Sequence, residues 1–425
     1  MKKQITSAAA VLLIIAAEPY ICASAAEIPQ TSAKAAVLVS ADTGEVIFSE
    51  NANEKLPMAS TTKIMSVLLT LESGGLYDEF TVDSDAIKVE GSSMGLCEGD
   101  TVTKYALCCG MLLPSGNDAA NAAAVRIAGS FEAFADMMNE RARKIGLSHT
   151  FFVTPSGLEG EGHGSSALDM AMLAREALKN DIFRDICSKV NIQTEFGDPP
   201  FRRWLKNTNK LLSMYDGVYG VKTGFTDEAG RCLVSACKRD GEDLICVTLN
   251  DADDWNDHIS LYDYGFETVG NAEISIPDGF EVCIAGSDNE HLPVCAENRL
   301  VSVTTLSDDA DDFSFELAAP PFVYAPVEKG TETAELKLMY KGREVRRIPM
   351  YASENAYIGK SKAQKEEEEF AEDESKNRDD DSSKNQDEED QDKSKEDLSK
   401  NKEDEDESKE DNLKPPGYKK KFLKE

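Results

Sequence analysis

The sequence predicts an α+β domain followed by a small all-β module and a disordered acidic tail. Three observations carry this expectation. Apolar strand-like runs stand at both ends of residues 26–268 with helical periodicity between them, which suggests a sheet joining early and late segments. Residues 271–355 hold short alternating or β-branched runs separated by Pro, Gly, Asp and Asn. Beyond Ile358 hydrophobic residues almost vanish, and residues 366–413 carry 24 acidic and 8 basic groups, too little apolar surface to offset the entropy of ordering. The expected divisions are residues 1–25, 26–268, 269–357 and 358–425. A length of 425 residues allows two or three domains at about 150 residues each.

The elements follow in order. Met1-Lys2-Lys3, an apolar stretch over 8–17 and Ala23-Ser24-Ala25 have the form of a cleavable secretory signal, too short to span a bilayer. Cys22 lacks the small residues expected before a lipid-modified cysteine. Residues 36–39 and 46–48 read as strands about the hairpin turn Asp42-Thr43-Gly44. From residue 60 to 71 Ile64, Val67, Leu68 and Leu71 repeat with helical spacing, and Gly74-Gly75 stops that helix. Residues 104–145 read as further helix, interrupted at Leu113-Pro114-Ser115-Gly116, and 169–178 as another. Residues 220–225, 232–237 and 244–249 read as strands, with Arg239-Asp240-Gly241-Glu242 as the turn between the last two and 255–266 as a closing helix. In the all-β module the strand-like runs are 273–276, 281–285, 300–305, 313–317 and 335–340.

Charge and cysteine content narrow the function. With 46 Lys+Arg against 79 Asp+Glu the formal charge is −33; the last 65 residues contribute −10, leaving −23 for residues 1–360. Such a chain repels polyanions, which excludes electrostatically driven nucleic-acid binding. Nine cysteines follow residue 25, an odd number without metal-ligand spacing; Cys232 and Cys246 lie in apolar runs, and most of the nine are expected to be buried thiols.

Three short elements carry chemistry. Ser60-Thr61-Thr62-Lys63 places a hydroxyl and an amine nearly one helical turn apart on one face. Serine needs a base to become a nucleophile, and an amine serves only if burial or a nearby cation lowers its pKa. Lys63 is the only charged residue between Ser60 and Glu72, in the company of Ile64, Met65 and Val67. Ser115-Gly116-Asn117 sits on a break between helices, where Asn117 offers a carboxamide and Ser115 a proton relay. Lys222-Thr223-Gly224 lies in a strand-like segment: Lys222 suits a substrate carboxylate and repels a second cation, Thr223 can hydrogen-bond that carboxylate, and Gly224 clears space at a strand edge. Singly each element is weak. S-x-x-K recurs at Ser399 and Lys402, and S-x-N at three later places, where a solvated tail or capping turn accounts for them. Together and in order they form the set of penicillin-binding proteins and class A β-lactamases.

Longer segments sharpen the likeness. Pro57-Met58-Ala59-Ser60-Thr61-Thr62-Lys63-Ile64-Met65, residues 91–99 (GSSMGLCEG), 113–121 (LPSGNDAAN), 207–211 (NTNKL), 217–224 (GVYGVKTG) and Ala229-Gly230-Arg231-Cys232-Leu233 resemble the low-molecular-mass penicillin-binding proteins, serine-type D-alanyl-D-alanine carboxypeptidases of peptidase family S11. The resemblance implies a penicillin-binding/β-lactamase-like transpeptidase domain, an antiparallel sheet with helices plus a helical region. It further implies that Ser60 attacks the bond between two D-alanines of a peptidoglycan stem peptide, with Lys63 as base. Ser115 and Asn117 assist the leaving group and hold substrate, and Lys222 and Thr223 bind the terminal carboxylate. The backbone N–H groups of Ser60 and Phe225 form the oxyanion hole, and β-lactams inhibit. No metal or organic cofactor is implied. A class A β-lactamase would need a deacylating glutamate; Glu159 and Glu161 lie in the right region, but LEGEGH does not resemble that enzyme's loop. His163 reads as structural, and a non-catalytic wall-binding protein is the remaining alternative. The expected location is outside the cytoplasm, secreted or associated with the envelope, without a strong membrane anchor.

Overall fold

The computed structural model describes residues 27–306 and 309–360. The expected signal at 1–25 and the acidic stretch 366–413 lie outside these residues. Strand β1 (Ala33–Ser40) and β2 (Val46–Glu50) form the early hairpin. A 3-10 turn over Ala59–Thr62 leads into α1 (Lys63–Glu72), and Gly74 and Gly75 follow with φ of 70° and 55°. Short strands β3 (Glu79–Thr81) and β4 (Thr101–Thr103) precede α2 (Lys104–Leu112), α3 (Asn117–Ala128) and α4 (Phe131–Ile145). Next come α5 (Ala167–Ala177), α6 (Asp181–Ser188), β5 (Asn191–Gly197), β6 (Pro200–Lys206) and the single turn α7 (Leu211–Met214). Strands β7 (Val218–Thr226), β8 (Gly230–Arg239) and β9 (Glu242–Asp251) lead to α8 (Asp254–Thr268).

The main sheet is antiparallel, in the order β2-β1-β9-β8-β7, so early and late segments do meet: Val37 stands opposite Val247. Both faces are covered. Val37, Val39, Val234, Ile245 and Val247 pack toward the core that contains α1, while Leu38, Leu244 and Cys246 pack with Leu261 and Tyr262 of α8. Two buried faces explain why β1, β8 and β9 read as nearly unbroken apolar runs. Strand β7 is the edge, and α1 and α3 stand with it at the site described below.

The β5–β6 hairpin, α6 and the short β3 and β4 were not anticipated. Strand β6 has the sequence PFRRWLK with one buried residue, so its hydrophobic pattern is weak. After α8, β10 (Gly270–Ser275) pairs with β13 (Leu300–Thr305). A six-stranded sheet contains β11 (Glu281–Ala285), β12 (His291–Ala296), β14 (Phe313–Ala318), β15 (Val323–Tyr324), β16 (Glu332–Tyr340) and β17 (Arg343–Ala352). Strands β12, β15 and β17 were missed: β12 contains Pro293, β15 is only two residues long, and Arg343, Glu344, Arg346 and Arg347 break the apolar alternation of β17. This module has its own core around Val282, Leu336, Leu338 and Met350.

The β1–β2 turn bolts the module to the first domain. Asp42 accepts from Thr304 N (2.9 Å) and pairs with Arg346 (2.6 Å). Glu45 accepts from Leu306 N (2.9 Å), Tyr340 Oη (3.0 Å) and Lys341 Nζ (3.3 Å). All nine cysteines from Cys97 onward are free thiols. Cys108, Cys109, Cys187, Cys232, Cys237 and Cys246 are buried, as the apolar runs implied, whereas Cys97, Cys283 and Cys295 are exposed.

Candidate active site

Ser60 sits on the 3-10 turn rather than on regular helix. The preceding Ala59 has φ of +48°, a left-handed conformation that a non-glycine residue adopts at a cost, and it swings Ser60 outward from Met58 and Thr61. Thr61 locks the turn by donating from both N (3.2 Å) and Oγ1 (2.6 Å) to the Met58 carbonyl. Lys63, one turn on, is fully buried, and its Nζ lies 2.8 Å from Ser60 Oγ, 2.7 Å from Asn117 Oδ1 and 2.6 Å from the Ser156 carbonyl oxygen. Burial holds this amine well below its ordinary pKa; the Lys222 cation adds to the lowering and Asp118 opposes it. Repulsion by Lys222 was expected from sequence, and it stands second to burial.

Asn117 is the first residue of α3, after the bend at Ser115, whose φ is +66°. Its Nδ2 donates to the Glu90 carbonyl (2.7 Å), which fixes Oδ1 toward Lys63. Ser115 is buried in the same bend. Asp118, not singled out from sequence, gathers the 91–99 segment: its carboxylate accepts from Ser93 Oγ (2.6 Å) and from the N–H groups of Met94 (2.9 Å), Gly95 and Leu96 (3.0 Å each). An aspartate in the first turn of a helix was the only signal available for it.

Lys222, Thr223 and Gly224 lie on the edge strand β7, against the Ser60 turn. Lys222 is buried, its Nζ donates to the Thr223 carbonyl (2.6 Å), and burial brings its pKa down to about 7. Thr223 Oγ1 is 2.7 Å from Thr208 Oγ1 in the NTNKL segment, and Asn209 Nδ2 donates to the Gly220 carbonyl (2.9 Å), tying that segment to β7. A Cβ on Gly224 would meet Met58 O and Thr61 N at 3.1 Å each, so glycine is what lets the strand pass this close. Phe225, next along the edge, is 62% exposed.

The structure thus brings Ser60, Lys63 and Asn117 into one hydrogen-bonded group and sets the Lys222–Phe225 edge beside it. His163 contacts this group indirectly, with Nε2 2.9 Å from Thr62 Oγ1. Glu159 and Glu161 are exposed and hydrogen-bond neither Ser60 nor Lys63. Glu159 instead lines a small cavity of about 20 Å³ with Met58, Ala59, His163, Thr226 and Glu228. A larger cleft of about 1250 Å³, between α5, α6 and β17, is lined by none of Ser60, Lys63, Ser115, Asn117, Lys222, Thr223, Gly224 or Phe225. Among the described residues no group of three His, Cys, Asp or Glu is placed to hold a metal ion. The arrangement pairs a hydroxyl with a buried amine of lowered pKa beside a second buried lysine, which suits acyl transfer on a carboxylate-bearing substrate.

Comparison with known proteins agrees with this chemistry. Residues 22–253 match the family model of the D-alanyl-D-alanine carboxypeptidases, peptidase S11. The chain is 33% identical over 344 residues to the D-alanyl-D-alanine carboxypeptidase DacF of Bacillus subtilis, covering 76% of this chain and 85% of that one. It is 32% identical over 374 residues to DacC of Escherichia coli, covering 84% and 92%. Among solved structures, the D-alanyl-D-alanine carboxypeptidase DacD of Francisella tularensis superposes with a TM-score of 0.53 at 26% identity, covering 78% of this chain and 95% of that one. With the family model spanning more than half of its length, and relatives matched through most of theirs, this chain belongs to the peptidase S11 family of serine D-alanyl-D-alanine peptidases.

Proposed function

We propose that the chain is a D-alanyl-D-alanine carboxypeptidase that removes the last D-alanine from peptidoglycan stem pentapeptides through a Ser60 acyl-enzyme. The observation that carries this reading is the set of partners around Lys63. Two of them, Asn117 Oδ1 and the Ser156 carbonyl, can only accept. A neutral amine has two hydrogens and one lone pair. With both hydrogens given to those acceptors, the lone pair faces Ser60 Oγ, the only partner with a proton to give.

In the proposed reaction Ser60 Oγ attacks the carbonyl carbon of the penultimate D-alanine as Lys63 takes its proton. The amide N–C bond then breaks, and the departing D-alanine amine receives a proton through Lys63 and Ser115, with Asn117 holding the peptide. Lys222 and Thr223 receive the terminal carboxylate, and Gly224 lets the peptide lie along β7. The N–H groups of Ser60 and Phe225 stabilise the oxyanion, where one such donor is worth about 10²–10³ in rate. Water hydrolyses the ester, and Ser60 is regenerated. β-Lactams acylate Ser60 by the same first step and so inhibit. The site of action is outside the cytoplasm, reached through the expected signal. The enzyme is secreted or associated with the envelope.

Incubation with a pentapeptide ending in D-Ala-D-Ala tests the reading. Release of one D-alanine per peptide, abolished in Ser60→Ala together with covalent penicillin labelling, is the expected result. Penicillin turnover without D-alanine release would replace this reading by the lactamase one.

A further inference from the structure

We propose that His163 is a positioning residue for the lysine base: its imidazole clamps the 154–163 loop to the start of α1 and so holds the Ser156 carbonyl against Lys63. The inference rests on the acyl-transfer reading above. It begins with the ring's hydrogen bonds. Val153 N–H donates to His163 Nδ1 at 3.0 Å, so that nitrogen carries no proton; Nε2 carries it and donates to Thr62 Oγ1 at 2.9 Å. Thr62 is the residue immediately before Lys63. One neutral ring therefore joins the strand-like entry of the loop, its exit and the helix that bears the base.

Between these tie points the loop lies directly on the nucleophile turn. Pro155 O accepts from Ser66 Oγ (2.5 Å) and Ser156 O accepts from Lys63 Nζ (2.6 Å), one helical turn apart on α1. Thr154 Oγ1 closes the loop on itself by donating to Leu158 O (2.7 Å) and accepting from Gly157 N (3.2 Å). Gly157 has φ of +87°, and a Cβ there would lie 2.0 Å from Ala59 O, so loop and turn are packed backbone to backbone. The outer ends are held by isolated bridges, Phe151 with Gly164 and Leu56 with Ser165. Inside those bridges His163 is the side chain that reaches from loop to helix start. Without it the Ser156 carbonyl can swing away, leaving one hydrogen of Lys63 undirected and the lone pair free to turn from Ser60.

The clamp works only while the ring is neutral, because a second ring proton would oppose the Val153 N–H. Burial, aided by Lys55, brings His163 down to about 4; Glu159 and Glu228 line the same small cavity as the ring. The ring is therefore neutral above about pH 4.

The test is acylation by a fluorescent penicillin, followed against pH on the full chain in wild type, His163→Ala, Thr62→Val and the double variant. Both single variants should acylate about tenfold or more slowly, since small misplacements of a catalytic group are costly. Their acidic limb should move to higher pH, because water entering the loosened pocket lets the Lys63 pKa climb. The double variant should be no slower than His163→Ala, since both substitutions break the same contact. Acylation within about twofold of wild type with an unmoved limb, or losses that simply multiply, would overturn the inference. If His163→Ala does not fold, the nearly isosteric Thr62→Val decides. A wild-type chain that penicillin does not label would defeat the underlying reading instead, so the two failures are distinct.

Discussion

Gly224 and Thr61 approach so closely that a methyl group on the glycine would sit 3.1 Å from the threonine nitrogen. Two of the neighbours are backbone atoms of the turn that carries Ser60, so a side chain at 224 would press strand β7 and that turn apart by a few tenths of an ångström. Gly224→Ala should leave a folded protein whose penicillin acylation falls by about tenfold or more, with a larger loss for Gly224→Val. Single-turnover labelling checks this; an alanine variant acylating at the wild-type rate would show that the contact relaxes without cost.

Two buried lysines should give the acylation rate opposite slopes with pH. In the proposed role of base Lys63 must be neutral, and burial places its titration well below the ordinary lysine range. Lys222 must be charged to attract a carboxylate, and it loses that charge above about pH 7. Activity on a carboxylate-bearing peptide should rise as Lys63 deprotonates and fall as Lys222 does. An amidated peptide should be poor at every pH and lack the falling limb. The kcat/KM profiles of the two peptides decide it.

The same burial makes Lys222 a liability for stability. Its folded pKa lies below its unfolded value near 10.5, so the unfolded chain binds the proton more tightly. Below about pH 7 the full penalty is present, and it is relieved as pH rises from 7 toward 10.5. Lys222→Met should raise Tm at pH 7 by about 2–4 °C while turnover of the D-Ala-D-Ala peptide falls by about 10²-fold or more. Thermal unfolding and D-alanine release on one preparation measure both.

Glu45 holds the all-β module to the first domain. Burial raises its pKa, but the Leu306 N–H, the Tyr340 and Thr305 hydroxyls and Lys341 outweigh this and leave it lowered. A lowered carboxyl stabilises above its unfolded pKa, and the contribution disappears as pH falls through the lower folded value. Glu45→Ala should expose the junction after 268 to protease and separate the two melting transitions, with acylation of Ser60 within about twofold of wild type, because the Glu45 side chain bonds module residues and none of the groups around Lys63. Limited proteolysis and calorimetry, set beside penicillin labelling, are the readouts.

Thiol accessibility should follow burial. Among Cys97 and the cysteines after it, a charged alkylating reagent should modify Cys97, Cys283 and Cys295 in the native protein and reach the other six only on unfolding. Peptide mapping by mass spectrometry reads this directly. Rapid native modification of Cys246, whose thiol burial pushes well up, would contradict the packing of α8 on the sheet.

Much of the site was legible because its chemistry is written locally. The one-turn spacing from Ser60 to Lys63, the break before Asn117 and the strand carrying Lys222 to Phe225 each lie within a few residues. The same holds for β1, β8 and β9, whose two buried faces leave continuous apolar runs. Elements with one solvated face and many charges, such as β6 and β17, had no such signature, and neither did Asp118 or His163, whose importance comes from what they reach.

By itself the sequence determined which functional groups exist and which of them share a turn of helix or a strand, since those relations depend only on backbone periodicity. Tertiary structure alone decided the surroundings of Lys63. Its acceptors Asn117 and Ser156 lie 54 and 93 residues away along the chain, and one of them is a backbone carbonyl that every residue type possesses. Whether a lysine is a cation or a base depends on how much water and which dipoles surround its nitrogen, and those are assembled only when distant segments fold together.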